Sequence, residues 1–123
     1  MKLRSIELAL PDPAGAAAFM VDIWGMAPAE VRGGTQYLRG SGTFPYLVAF
    51  EPSEHEFVRS TTFVCDEGEL ARIKAQVAEA GCPATPTVSQ DPGGGSGIIV
   101  ELPEGELLRF LTGADEVDPI EGR

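Results

Sequence analysis

Residues 61–81 read TTFVCDEGELARIKAQVAEAG. Thr61, Thr62, Phe63 and Val64 are β-branched or aromatic and favour an extended strand. Asp66, followed three residues later by Glu69, has the form of a helix-capping box. Leu70, Ile73, Val77 and Ala80 then recur at helical spacing, with Lys74, Gln76 and Glu79 off the stripe. Gly81 stops the helix and Pro83 follows it. The stretch therefore predicts a strand, a capped helix and a stop.

The same order occurs once before. Ile6, Leu8 and Leu10 alternate with Ser5, Glu7 and Ala9, the period of a strand with one buried face over Leu3–Leu10. Asp12 is a natural N-cap and Pro13 fits the first helical position. Pro13–Trp24 carries Ala16, Phe19, Met20 and Ile23 at helical spacing, and Gly25 is the stop. Strands are predicted at Thr35–Arg39, Phe44–Glu51 and Phe57–Asp66, with Gly40-Ser41-Gly42 read as a hairpin turn between the first two. After the second helix come an extended piece at Ala84–Ser89 and a glycine-rich loop at Asp91–Gly97. A hairpin then pairs Ile98–Leu102 with Leu107–Thr112 across Pro103-Glu104-Gly105. Phe19, Trp24, Tyr37, Phe44, Tyr46 and Phe50 fall mostly in the core by period.

These elements make two βαβββ units, about residues 3–52 and 57–113, in an α+β fold. Each unit alone leaves one sheet face uncovered, so the pair is expected to fold as one domain over 1–113. Residues 114–123 are acidic and polar. Their end, Ile120-Glu121-Gly122-Arg123, matches the factor Xa recognition sequence, and reads as a cloning remnant or as the start of a linker.

Composition narrows the function. The 123 residues carry 9 Lys+Arg against 19 Asp+Glu, a formal charge of −10. That disfavours nucleic acid and anionic membrane surfaces, both of which need clustered cations. No apolar run approaches a membrane span, and the start lacks a signal-peptide core. Cys65 and Cys82 form no Cys-x-x-Cys pair, and a cytoplasmic location is expected. The single histidine, His55, sits in a polar loop and reads as solvated. The glycine run at 93–97 precedes a strand and lacks a following Lys-Ser or Lys-Thr, so it does not read as a phosphate loop. It reads as a plain connection, with a mobile flap as the alternative. No serine has a nucleophile-elbow context.

Several motifs together resemble the vicinal oxygen chelate superfamily, which includes glyoxalase I, bleomycin resistance proteins and extradiol ring-cleavage dioxygenases. They are Ile6-Glu7-Leu8-Ala9-Leu10-Pro11-Asp12, Phe19-Met20-Val21-Asp22-Ile23-Trp24-Gly25, Tyr37-Leu38-Arg39-Gly40, and Gly94-Gly95-Ser96-Gly97 followed by Leu102–Arg109. The resemblance spans roughly residues 3–113 and is strongest to the amino-terminal module of two-module extradiol dioxygenases. It implies a mixed sheet curved around a cavity, with the helices on the outer face. It also implies His and Glu metal ligands facing that cavity. Carried onto this chain, those positions hold Glu7 on the first strand, Ser60 in the second unit, and Arg109 on the final strand. The middle strands place Tyr46 or Val48 there. Serine is a poor ligand and arginine has no lone pair to give.

The expectation is a cavity of Glu7, Tyr46, Val48, Ser60 and Arg109 with no metal, no cofactor and no catalytic residue of its own. A Glu7–Arg109 ion pair is expected to take the place of the metal. The resemblance then implies a structural module, or one holding a small apolar or aromatic ligand, paired with a second module or copy. Two alternatives stand beside it. One is an extradiol dioxygenase or glyoxalase-like lyase, with Fe2+ or another divalent ion held by ligands from a second module or dimer partner. The other is a stand-alone binding protein of bleomycin-resistance type.

Overall fold

The computed structural model describes residues 1–120. The Glu121-Gly122-Arg123 part of the factor Xa-like sequence lies outside the described residues. The elements in chain order are β1 (Lys2–Leu10), α1 (Pro13–Trp24), β2 (Ala27–Arg32), β3 (Thr35–Arg39), β4 (Val48–Pro52) and β5 (Phe57–Val64). They continue with α2 (Glu67–Ala80), β6 (Ala84–Val88), β7 (Ser96–Glu101) and β8 (Leu107–Thr112). The order is βαβββ twice.

All eight strands join one mixed sheet, in the order β2-β3-β4-β1-β5-β8-β7-β6. The sheet shows the repeat directly. β1 pairs with β4 in parallel, as β5 does with β8. The remaining pairs in each unit are antiparallel, and β1 meets β5 antiparallel at the centre. Each helix covers its own half of one sheet face. Leu70, Ile73 and Val77 of α2 pack on Phe63, Ile98, Val100 and Phe110. Ala16, Ala17, Met20 and Val21 of α1 pack on Leu8, Leu38, Val48 and Phe50.

Both helices begin and end as their sequences require. The Asp12 side chain accepts from the Gly15 amide, and the Asp66–Glu69 capping box is complete. Gly25 and Gly81 close them at φ 72° and 75°, in the left-handed region where a Cβ is penalised.

Four details differ from the sequence reading. β2 is an additional strand: only Ala27 is buried in it, because it forms the sheet edge and pairs with β3 alone. Gly33-Gly34, both at positive φ, makes an additional tight turn between β2 and β3, while the hairpin read across Gly40-Ser41-Gly42 does pair β3 with β4 antiparallel, through a longer connection at 40–47. The strand predicted from Phe44 begins only at Val48, after an irregular segment at 40–47. Finally, Phe19, Ile23 and Trp24 of α1 are exposed, since the side of α1 against the sheet carries Ala16, Ala17, Met20 and Val21 instead.

β1 also departs from its apolar alternation. Glu7, Ser5 and Arg4 are buried, whereas Ile6 lies at 37% exposure. The polar side of β1 faces the sheet's other, inner surface, where protein covers it more fully. A register shift between Leu3 and Ser5 leaves Arg4 out of the ladder with β5. Such a bulge re-aims a side chain, and Arg4 reaches Tyr46.

The segment after β8 runs back along the molecule. The amides of Asp115, Val117 and Ile120 donate to the carbonyls of Gly93, Thr43 and Ser41.

Candidate functional site

The inner face of the sheet is held by side chains from every central strand. β1 supplies Arg4, Ser5 and Glu7, and β5 supplies Ser60 and Thr62. Arg109 comes from β8, Tyr37 from β3, and Tyr46 from the segment before β4. Ser89 and Asp91 come from the loop after β6. All of these residues are buried. The ladder register explains the meeting, because Glu7 lies opposite Ser60 and Thr62 lies beside Arg109.

Arg109 is the hub. Its Nε donates to Thr62 Oγ1 at 2.9 Å. Nη1 lies 2.8 Å from Asp91 Oδ2 and donates to Ser89 Oγ at 3.3 Å. Nη2 donates to Glu7 Oε1 at 3.2 Å and to the Tyr46 hydroxyl at 3.0 Å. These contacts match in number the five N–H groups of a guanidinium. Every nitrogen of Arg109 thus has a protein partner.

Around the hub, Glu7 Oε1 also accepts from Ser60 at 2.8 Å and from Thr62. Glu7 Oε2 has no hydrogen-bond partner among the described residues. Arg4 donates from Nη2 to the Tyr46 hydroxyl at 2.6 Å, and its guanidinium lies 4.6 Å from the Tyr46 ring centre. The Tyr37 hydroxyl donates to Asp91 Oδ1. Arg59 stands at the margin, 3.3 Å from Glu51 and 3.7 Å from Asp91. Two buried guanidinium groups, Arg4 and Arg109, thus face two buried carboxylates, Glu7 and Asp91.

The charges fix one another's protonation. Burial opposes the charge on Arg109, but Tyr46, Glu7 and Asp91 outweigh it and raise its pKa above the ordinary arginine value. Burial likewise opposes the Asp91 carboxylate. The hydrogen bond from Tyr37 and the charge of Arg109 prevail, and its pKa is lowered. Burial, reinforced by Glu7, pushes the Tyr46 hydroxyl up to about 12. Burial and the hydrogen bond to Asp91 raise Tyr37 as well.

The structure brings Glu7, Tyr46, Ser60 and Arg109 together. Val48 is a correction: it lies on the helix side, packed with Leu38 and Phe50 under α1. Val48 sits opposite Ile6 in the ladder, so Ala49, opposite Glu7, takes the inward place. Tyr46 reaches the inner face because the backbone before Val48 is not yet a regular strand. Sequence reading missed Arg4, Tyr37, Thr62, Ser89 and Asp91. Thr62 was accessible to it, lying two residues from Ser60 on the same strand face.

The donor set does not suit a divalent ion. Among Glu7, Tyr46, Ser60 and Arg109, only Glu7 offers an anionic oxygen, and one of its oxygens is engaged by Arg109. A permanent cation stands among the carboxylates that a metal would need. No group of three or more His, Cys, Asp or Glu suited to a metal occurs among the described residues. His55 is exposed in its loop.

Beside the network runs a groove of about 280 Å³, bordered by Arg59, Ser60, Val88, Asp91, Leu107 and Arg109. The glycine run is explained by backbone geometry. Gly93, Gly94 and Gly95 all have positive φ, and a Cβ on Gly97 would lie 1.8 Å from the Phe110 carbonyl oxygen.

No family model and no curated protein sequence matches the chain. Solved structures do. A Mn(II)-bound glyoxalase from Novosphingobium aromaticivorans superposes with a TM-score of 0.88 at 21% identity, over 99% of this chain and 42% of that one. A variant of homoprotocatechuate 2,3-dioxygenase from Brevibacterium fuscum gives 0.87 at 20% identity, over 100% of this chain and 35% of that one. The native enzyme from Arthrobacter globiformis gives 0.87 at 21% identity, over 100% and 39%. The chain spans about two fifths or less of each. Its two βαβββ units, joined through β1 and β5, have the vicinal oxygen chelate fold and correspond to one module of these longer chains.

Proposed function

We propose that this chain is a metal-independent, non-catalytic vicinal-oxygen-chelate module that serves as a structural half of an extradiol-dioxygenase-type protein. One observation carries the reading: Arg109, on the final strand where the resemblance implies a metal ligand, has all its nitrogens engaged by protein groups. A guanidinium fixed in this way ties β1, β5 and β8 together, as a metal would tie its ligands. The longer chains it resembles have more than half their length beyond the matching module. In this reading, any ring-cleavage or lyase chemistry belongs to a second module with its own ligands. The two free thiols, Cys65 and Cys82, fit a reducing cytoplasm.

A second reading rests on the groove beside Arg109. Val88 and Leu107 give it apolar walls and Arg59 a charged end, which suits a small aromatic molecule bearing oxygens. Both readings are tested by titrating the purified chain with Mn(II) and, separately, with catechol, followed by amide NMR. The structural reading expects no saturable shift with either. Saturable binding of about one Mn(II) per chain overturns it. Catechol shifts confined to residues 59–60, 87–91 and 107–109 replace it with the ligand-holding reading.

A further inference from the structure

Two buried arginines share the Tyr46 hydroxyl, and their surroundings differ. Arg109 has a partner at every nitrogen and two carboxylates beside it. Arg4 is 2% exposed, yet no carboxylate among the described residues forms an ion pair with it. Its Nε donates to Ser5 Oγ at 3.3 Å and its Nη2 to Tyr46. Nη1 is buried and has no hydrogen-bond partner among the described residues. A buried charge is ordinarily paired and hydrogen-bonded, because its desolvation is otherwise uncompensated.

Arg4 lies on the wall of a pocket of about 320 Å³, at the lower end of the range for small-molecule sites. The pocket sits among the first residues of β1, Thr43 and Phe44, the end of β5 and the segment after β8. Lys2, which is exposed, places a second cation on its wall, and Phe44, Val64 and Leu111 give it apolar sides. It shares no lining residue with the groove beside Arg109.

We propose that this pocket binds a small organic monocarboxylate, with the carboxylate on Arg4 and the apolar body against Phe44, Val64 and Leu111. A carboxylate supplies in one group the two things Arg4 lacks, an acceptor for Nη1 and a counter-charge. A neutral alcohol supplies only the acceptor. The rest of the lining selects a single charge. Glu69, Asp115 and Glu116 also border the pocket. Both oxygens of Glu69 are engaged, one by the Met1 amine and one by the Asp66 amide. Asp115 and Glu116 are exposed, and the chain carries a formal charge of −10, so a second negative charge on the ligand, as on phosphate, is opposed. The proposal does not depend on the metal-free reading, because Arg109 does not border the pocket, and each can fail alone.

The test is an amide NMR titration of the full chain at neutral pH and constant chloride, with benzoate, benzyl alcohol and inorganic phosphate as separate probes. Saturable benzoate shifts are expected at residues 2–4, 43–44 and 111–114, with none from benzyl alcohol and phosphate weaker by about tenfold or more. Arg4→Gln and Lys2→Glu should each weaken benzoate by about tenfold or more, the loss expected for a hydrogen bond to a charged group. Lys74→Glu, the same charge change at an exposed position on α2, should bind as wild type. Far-UV circular dichroism checks folding; Lys2 is exposed, so Lys2→Glu carries the test should Arg4→Gln not fold. The proposal is overturned by the absence of saturable benzoate shifts, or by shifts confined to residues 59–60, 87–91 and 107–109. It is equally overturned by benzyl alcohol or phosphate binding as well as benzoate, or by affinity indifferent to the folded Arg4 and Lys2 variants.

Discussion

Arg109 and Glu7 show how one buried cation organises its surroundings. The neighbouring strands offer the guanidinium a carboxylate and hydroxyls, and the loop after β6 contributes Asp91. Arg109→Met should therefore destabilise the fold by about 3–5 kcal/mol, because it leaves two buried carboxylates without their counter-charge. Arg109→Lys should recover part of this, since it keeps the charge but offers three donors in place of five. Urea denaturation of the two variants checks both statements; equal stability of Arg109→Met and wild type would remove the network's structural role. Asp91 adds a pH dependence of definite sign. Its folded pKa lies below the ordinary 3.8, so its contribution is fully present above that value and is lost as pH falls through the lower folded value. Urea midpoints should fall below about pH 4, and Asp91→Asn, already weaker at neutral pH, should show a flatter acid limb. The Glu7–Arg109 convergence was legible because both residues sit on regular strands, at positions that the repeat and the family resemblance mark. Asp91 sits in a loop and Arg4 at a bulge, where strand parity says nothing about direction.

Among the elements, the helices were the most readable, because caps and stops are written in local sequence: Asp12, Asp66, Gly25 and Gly81. β2 was not. An edge strand with one neighbour needs no alternating apolar pattern, and Pro28 further masks it. The β7–β8 hairpin shows the opposite case, where one residue carries a strong constraint. Gly97 has no room for a side chain against the Phe110 carbonyl. Gly97→Ala should force the two strands apart and lower stability by roughly 3 kcal/mol or more. A melt matching wild type would show that β8 has freedom to shift. The neighbouring Gly94 meets no atom within 4 Å of a built Cβ, so its glycine answers to φ alone. Phe19 and Trp24 were misassigned to the core because helical spacing identifies a stripe without saying which side the sheet will cover. The contrast with α2, whose charged outer side leaves no such ambiguity, explains why one helix was read correctly and the other only in its bounds.

At the scale of the molecule, duplication explains most of the architecture. Two units, each with a parallel closing pair, share one sheet through β1 and β5, and the polar residues gather where the units meet. The central placement of β1 has a further consequence, which concerns the order in which the chain assembles. β1 precedes all the other strands described, yet its neighbours are β4 and β5, so its two ladders close only once residues 48–64 are available. β5 in turn waits for β8. The pairings at the heart of the sheet are therefore the ones most distant in sequence, and loop-closure entropy opposes them before contacts reward them. The first unit therefore leaves its central strand half-paired until β5 is available to complete it.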